Sequence, residues 1–401
     1  MASRESEFKA LTEVGTLGRG KSKHRPRNDP ALYGGEYPFV QTSDVKHAPF
    51  YLTEYTQTYN EKGLAQSKLW PPGTLCITIA ANIADTAILA IPACFPDSIL
   101  GFTPHQQQAD VRYVKYCLDA FRGHMEQISK GTTQDNLSMD KLLKLRFWFP
   151  AYKLQRRIAA LLTAYDDLIA NNQRRIALLE SMAEEIYREW FVRMRCPIDT
   201  EMNKSSKRLQ PFGSLCELQR GFDLPDSDLQ PGTVPVIAST SIKGFHNVAK
   251  VMPPVITTGR SGSLGTVLYV REPAWPLNTS LWVKDFKGNS SNLVYFTLRG
   301  LHLENFNAGA GVPTLNRNHL KSIRVSIPTA ASQSRFDELV EPLLSGAQTL
   351  RLVNTKLISV RDALLPRLIS GKLRVDALDI QFPPSMQQPP EETSQPARAF
   401  G

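Results

Sequence analysis

The residues that most resemble reaction chemistry lie near the start of the chain, where "GTLGRGKS" (Gly15 to Ser22) fits the phosphate-binding loop pattern of nucleotide hydrolases letter for letter. Such a loop works when a buried strand leads into the glycines and a helix leaves from the Lys-Ser, because backbone amides and the helix N-terminus together cradle the phosphates. Here "FKALTEV" precedes the glycines and is short and charged, while "KHRPRNDP" follows, with Pro26 and Pro30 breaking any helix within two turns. The pattern therefore predicts a basic loop rather than a nucleotide site. Arg19, Lys21, Lys23, Arg25 and Arg27 fall within nine residues that contain no acid. That density suits contacts to a phosphate backbone.

Other chemistries find less support. Cys76, Cys94, Cys117, Cys196 and Cys216 are scattered without a C-x-x-C pair, and the seven histidines show no metal-ligand spacing. A reduced cytoplasmic chain with no metal is expected. The Pro-Pro pairs are not preceded and followed by the Asp/Asn and Tyr/Phe of an amino-methyltransferase motif. Asp285-Phe286-Lys287 has an acid-x-Lys spacing, but no upstream acidic partner completes a nuclease centre. Near the N-terminus no apolar core of signal-peptide length occurs, and no stretch approaches the roughly 20 apolar residues of a membrane helix. With 47 Lys+Arg against 38 Asp+Glu, the net charge of +9 favours a polyanionic partner. An apolar content of 42% with 21% charged residues is globular, and 401 residues suffice for two or three domains.

The elements that would position these residues are organised by an internal repeat. "GTTQDNLSMDKLLKLRFWFP" (Gly131 to Pro150) aligns without gaps on "GAGVPTLNRNHLKSIRVSIP" (Gly309 to Pro328), 178 residues later. Upstream, "LGRG" (Leu17 to Gly20) faces "LQRG" (Leu218 to Gly221), and "YPFVQTSDV" (Tyr37 to Val45) faces "VPVIASTSI" (Val234 to Ile242). "ANIADTAIL" (Ala81 to Leu89) faces "SGSLGTVLY" (Ser261 to Tyr269), with Thr86 on Thr266. Each half is expected to be a β-rich globular unit that ends in a short strand and a proline.

Past each proline the same offset enters a helical stretch. Ile158, Leu162, Tyr165, Ile169, Asn172, Ile176, Leu179, Ala183, Ile186 and Trp190 recur in steps of four and three. The second copy runs Phe336, Val340, Leu343, Ala347, Leu350, Asn354, Leu357, Arg361, Leu364 and Leu368. Seams of this period predict two helices of about 40 residues, roughly 60 Å each, packed as an antiparallel coiled coil. That arrangement would bring Asn172 near Asn354, where buried asparagines fix register. The second helix, opening with "TAASQSRFDEL", is expected to start later and to be weaker than the first, which opens with "YKLQRRIAALL".

This order of features resembles the specificity subunits of type I restriction-modification systems. The resemblance is carried by "TTGRSGSLGTV" (Thr257 to Val267), "AGAGVPTLNRNHLKSIRVSIP" and "LLPRLISGKL" (Leu364 to Leu373), and spans about residues 8 to 375. In the first half, "IAANIADTA" replaces the glycine-rich turn and "GTTQDNLS" replaces "GAGVPTLN". The resemblance implies an α+β fold of two tandem target-recognition domains, 1–151 and 196–328, each followed by a long helix, 152–195 and 329–371. A tail over 372–401 is expected to be largely disordered from about 383. Also implied is a DNA-reading chain without catalytic site or cofactor. Its partners would be double-stranded DNA, two modification subunits carrying S-adenosylmethionine, and restriction subunits using ATP and Mg²⁺. On the residues alone, a methyltransferase or nuclease with its own active site, or a helical adaptor that does not bind DNA, are the alternatives.

Candidate phosphate or guanine contacts are Arg19, Lys21, Lys23 and Arg25 in the first domain, with Arg220, Lys243 and Arg260 in the second. Small polar residues at repeat-matched loops are candidates for meeting bases. They are Gln41, Thr42, Asn82, Thr133 and Gln134, with Ser239, Thr240, Ser261 and Asn316.

Overall fold

The structure, a computed structural model, describes residues 7–80, 83–129, 139–198, 209–309, 311–376 and 378–387. The candidates Asn82, Thr133 and Gln134 lie outside the described residues. Two compact units divide the chain: Met1–Gln173 with Leu352–Gly401, and Arg174–Arg351.

In the first unit, strands run in the order Gly15–Arg19, Ile99–Pro104, Leu75–Thr78, Thr86–Leu89, Tyr51–Leu52. Leu75–Thr78 and Thr86–Leu89 are buried on both faces, so they read as short apolar runs rather than as alternation. The Val111–Ser129 helix sends Tyr113, Val114 and Cys117 into the same core as Leu75, Ile77 and Phe102. A smaller sheet follows the order Gln57–Tyr59, Tyr33–Phe39, Ala93–Cys94, Leu69–Trp70.

The phosphate-loop match now has a physical explanation. Gly15–Arg19 is itself a strand, paired antiparallel with Ile99–Pro104, and no helix follows Ser22. The Phe102 ring lies over Gly15 and the Trp70 indole over Gly18, where a Cβ would collide. At Gly20 a Cβ would meet the Phe95 and Pro96 carbonyls, and at Gly221 those of Pro276 and Leu277. The repeated Arg-Gly step is thus a point of close backbone approach.

The second unit repeats the plan. Its main sheet runs Glu217–Arg220, Ser280–Asp285, Val255–Gly259, Val267–Val270, and Ile242–His246, Val234–Ile237 and Trp275–Pro276 form the smaller one. Pairing registers coincide: Ile77 faces Leu100 and Thr86, as Thr258 faces Leu281 and Val267. Thr86 therefore corresponds to Val267, one residue beyond the Thr266 expected from side-chain identity. Backbone pairing decides this, because a slip of one residue would turn every side chain of the strand to the other face.

The long helices are Tyr152–Tyr187, continued by a π-helical turn at Arg188–Val192, and Ala330–Ile369. The second begins 178 residues after the first, at the equivalent position, and is of about the same length, which corrects the expected late start. Its opening is held by local bonds rather than by apolar density. The Thr329 hydroxyl accepts the Ser332 N–H (3.3 Å), and Gln333 joins the helix to the preceding segment. Gln333 Oε1 accepts the N–H of Ser290 (2.7 Å), the cap of the Ser291–Gly300 helix, and its Nε2 donates to Pro328 O (3.0 Å). Gln155 does the same in the first unit, accepting from the N–H of the capping residue Asp110 (3.1 Å) and donating to Pro150 O (2.8 Å).

Within each unit the two helices pair antiparallel. In the first unit Ile158, Leu162, Ile169 and Asn172 are buried and Tyr165 half-buried, opposite buried Asn354 and half-buried Leu357 and Leu364. Asn172 Nδ2 donates to Asn354 Oδ1 (2.9 Å), and Asn354 Nδ2 donates to Ile169 O (3.2 Å). Arg361, at a seam position, meets the Asp166 carboxylate, to which the Tyr116 hydroxyl also donates. In the second unit Ile176, Phe336 and Val340 are buried, with Leu179, Ile186, Leu343 and Leu350 half-buried.

Met386 is still packed, beyond the point near 383 where disorder was expected. Met386 is buried, Phe382 packs on the first core under the Arg156 guanidinium (4.8 Å), and Ser385 Oγ donates to Asp167 Oδ2 (2.6 Å). Two apolar side chains with a core to enter outweigh the polar, proline-rich composition around them.

Replacing Asn354 alone by leucine strands the buried Asn172 amide. The expected loss is about 1–3 kcal/mol of unfolding free energy. Replacing both asparagines by leucine should recover most of it, as measured by urea denaturation of the single and double variants.

Candidate nucleic-acid interface

In the first unit the basic loop leaves its strand at Gly20, whose N–H donates to Ile99 O (2.9 Å), while the Lys21 N–H donates to Phe95 O (3.0 Å). Gln66 Oε1 then receives the backbone N–H groups of Lys23 (2.5 Å) and His24 (3.0 Å). The loop backbone is tied down, whereas the Arg19, Lys21 and Lys23 side chains are exposed. Arg25 behaves differently: its Nη1 donates to Ser22 O (2.7 Å) and His24 O (2.8 Å), so the guanidinium braces its own loop. Arg27 Nη2 donates to both Asp97 carboxylate oxygens (2.7 and 3.0 Å). Asp29 receives the Ala31 N–H and the His24 ring, and both bonds hold its carboxyl below the usual range.

Gln41 and Thr42 sit at the start of the Thr42–His47 helix. The Gln41 amide donates to Gln57 Oε1 (2.6 Å), and Thr42 is half-buried.

In the second unit four turns are laced into one patch. Thr279 O accepts the N–H groups of Arg260 (2.8 Å) and Ser261 (3.1 Å), and Ser239 Oγ bridges Ser261 O (2.8 Å) and Thr279 O (3.0 Å). Gly262 N–H donates to Pro313 O (2.9 Å) and Leu315 N–H to Arg260 O (2.8 Å). Asn307 Oδ1 closes the last turn by receiving Gly309 and Thr314 N–H groups (2.9 Å each). Positive φ at Gly262 (89°) and Gly265 (91°) is the physical requirement behind the last two glycines of "GRSGSLG", while at Gly259 a Cβ would strike Ser263 O. Ser239 and Ser261 are therefore loop ties, and Asn316 caps the Arg317–Leu320 helix by accepting the Asn318 N–H (3.0 Å). Thr240 is exposed on the Ala238–Ser241 turn.

Three predicted cations point from this unit. Arg260 Nη1 donates to Asn278 O (3.3 Å), Arg220 pairs with Asp223 (3.3 Å), and Lys243 with Asp226 (2.8 Å). The Lys243 bond holds the Asp226 carboxyl below the usual range. Exposed pairs like the last two bind weakly, so Arg220 and Lys243 can each exchange a carboxylate for a phosphate. Sequence reasoning missed Asp223 and Asn278, whose side chains hydrogen-bond each other and join Arg220 to the Arg260 turn. Asp223 lies two residues past the repeated Arg-Gly step, where a signal was available.

All five cysteines are buried free thiols, and burial pushes those of Cys76 and Cys117 up. Among the described residues no three or more His, Cys, Asp or Glu side chains are grouped so that they could hold a metal ion. No described helix is long and apolar enough to cross a membrane.

Comparison with known proteins agrees with this geometry. A family model described as type I restriction modification DNA specificity domain matches twice, over residues 3–181 and 210–348. The chain is 21% identical to the type I restriction enzyme MjaIX specificity subunit of Methanocaldococcus jannaschii, over 93% of this chain and 94% of that one. It is 18% identical to the EcoprrI specificity subunit of Escherichia coli, over 84% and 89%. Among solved structures, the S subunit of a type I restriction-modification system from M. genitalium shares the fold. Its TM-score is 0.60 at 15% identity, covering 92% of this chain and 98% of that one.

Replacing Arg260 by alanine is expected to weaken binding to a cognate duplex by about 1–3 kcal/mol and to relax selectivity at one base pair. Replacing Lys23 by alanine should weaken all sequences alike and lower the salt slope by about one. Fluorescence anisotropy across a salt series, with cognate and scrambled duplexes, separates the two.

Proposed function

Because the chain belongs to the family of type I restriction-modification DNA specificity subunits, we propose that its two units read the two halves of a split DNA sequence, one half each. It is a non-catalytic subunit with two target-recognition domains. The observation that carries the reading is the duplicated plan. Two sheets share four strands in the same order and pairing register, and in each the first strand ends in an exposed arginine followed by a close-packed glycine.

Phosphate contacts from Arg19, Lys21, Lys23, Arg220 and Lys243 supply affinity without sequence information, while Arg260 and Thr240, with Gln41 and Thr42, are placed to meet base edges. Arg25, Ser239, Ser261 and Asn316 act by shaping the loops that present them. The long helices set the gap between half-sites. A second reader held at the right separation binds at high effective concentration, which turns two short words into one long site.

The chain works in the cytoplasm with two modification subunits, which bring S-adenosylmethionine and methylate each half-site. Restriction subunits bring ATP and Mg²⁺ chemistry. This chain contributes the address and no bond-making step.

Inserting one heptad into both long helices adds about 10 Å of rise and should lengthen the gap between the methylated half-sites by about three base pairs. Methylation mapping of DNA from cells carrying the lengthened chain checks this. An unchanged gap contradicts the spacer role.

A further inference from the structure

The two main sheets differ at one edge. In the first unit Tyr51–Leu52 adds in parallel to Thr86–Leu89, so that the Ile88 N–H donates to Phe50 O (3.1 Å) and the Ala90 N–H to Leu52 O (3.1 Å). In the second unit the corresponding strand, Val267–Val270, ends the sheet. Ile88 corresponds to Tyr269 and Ala90 to Arg271, because Leu75 faces Ile88 as Ile256 faces Tyr269 within matched registers. The Tyr269 and Arg271 N–H groups therefore point outward from the edge, where among the described residues no strand receives them. Thr86–Leu89 is wholly buried, whereas Val267–Leu268–Tyr269 is only half-buried. The cavity along Val267–Glu272 measures about 720 Å³.

This chain has no spare segment of its own for that edge within the matching connection. Between Val234–Ile237 and Val255–Gly259, the apolar stretch around Val251 is already tied to Ala274, whose O accepts the Lys250 and Val251 N–H groups (3.0 Å each). Nor does the cavity offer uncommitted positive charge to a nucleic acid. Arg271 pairs with Glu341, Arg299 with Glu184 (3.0 Å) and Arg351 with Glu180. A neutral cavity beside an open strand edge suits an extended polypeptide.

We infer that Val267–Val270 is a strand-addition site that takes an extended, apolar segment of the modification subunit, lying parallel to the edge as Phe50–Leu52 lies on Thr86–Leu89. The partner's identity rests on the functional reading above. Two carbonyls of the added segment accept the Tyr269 and Arg271 N–H groups, and an aromatic or aliphatic side chain fills the cavity as Phe50 does in the first core.

The test uses the full chain, alone and mixed with the modification subunit of its own system, followed by hydrogen exchange resolved to single amides. The Tyr269 and Arg271 amides should slow on mixing, and a folded Tyr269→Pro variant, which loses the outward donor together with the ring, should weaken assembly by about tenfold relative to Tyr269→Ala, which loses the ring alone. Arg271→Pro supplies a second variant should the first unfold. Amides that exchange at the same rate in the assembled complex, or a folded proline variant that assembles with full affinity, overturn the inference. So does protection by a DNA duplex without the modification subunit, which would make the cleft a nucleic-acid surface. Failure of the unaltered chain to assemble at all would instead bring down the functional reading on which the partner rests.

Discussion

In each unit the core is closed by side chains from both long helices. Ile158, Leu162 and Leu368 lie in one cluster with Leu75, Ile77 and Phe102. Ala183, Tyr187, Phe336 and Val340 lie in the other with Leu218, Ile256 and Leu281. The helices are therefore part of the reading domains themselves. Any change in how they pair is felt by the sheet whose strands present the loops.

The joints between sheet and helix are fixed by a few polar ties that occur twice. Gln155 and Gln333 each hold the cap of a crossover helix and the carbonyl of the proline before a long helix. Gly20 and Gly221 each let a strand end pass against backbone carbonyls that any side chain would strike. Buried polar groups must be satisfied to be tolerated, and these glutamines meet the requirement while aligning two elements.

The two copies have also diverged in how they treat exposed backbone. A fifth strand covers the first sheet's edge, while the second sheet ends at Val267–Val270. In the loops, the first copy is held by Gln66 and the Arg25 guanidinium, the second by glycines at positive φ and by Ser239 and Asn307. Charge follows the same division. Arg19, Lys21 and Lys23 stand exposed, whereas Arg220 and Lys243 each keep a carboxylate nearby.

The duplication, the helical seams and the family are legible in the residues alone, because periodic burial and an ungapped repeat leave their mark on residue type at fixed spacing. The residues also exclude the phosphate loop, since Pro26 and Pro30 forbid the helix that such a loop needs. Tertiary structure alone decided that the glycines of "GTLGRG" make room for Phe102, Trp70 and the Phe95–Pro96 carbonyls, and that Thr86 corresponds to Val267. It likewise decided that Arg25, Ser239 and Asn316 spend their donors and acceptors on the protein's own backbone, and that Phe382 and Met386 keep the chain packed past 383. Each of these depends on a partner distant in the chain, or on the path of a loop between strands, and residue type at one position carries no record of either.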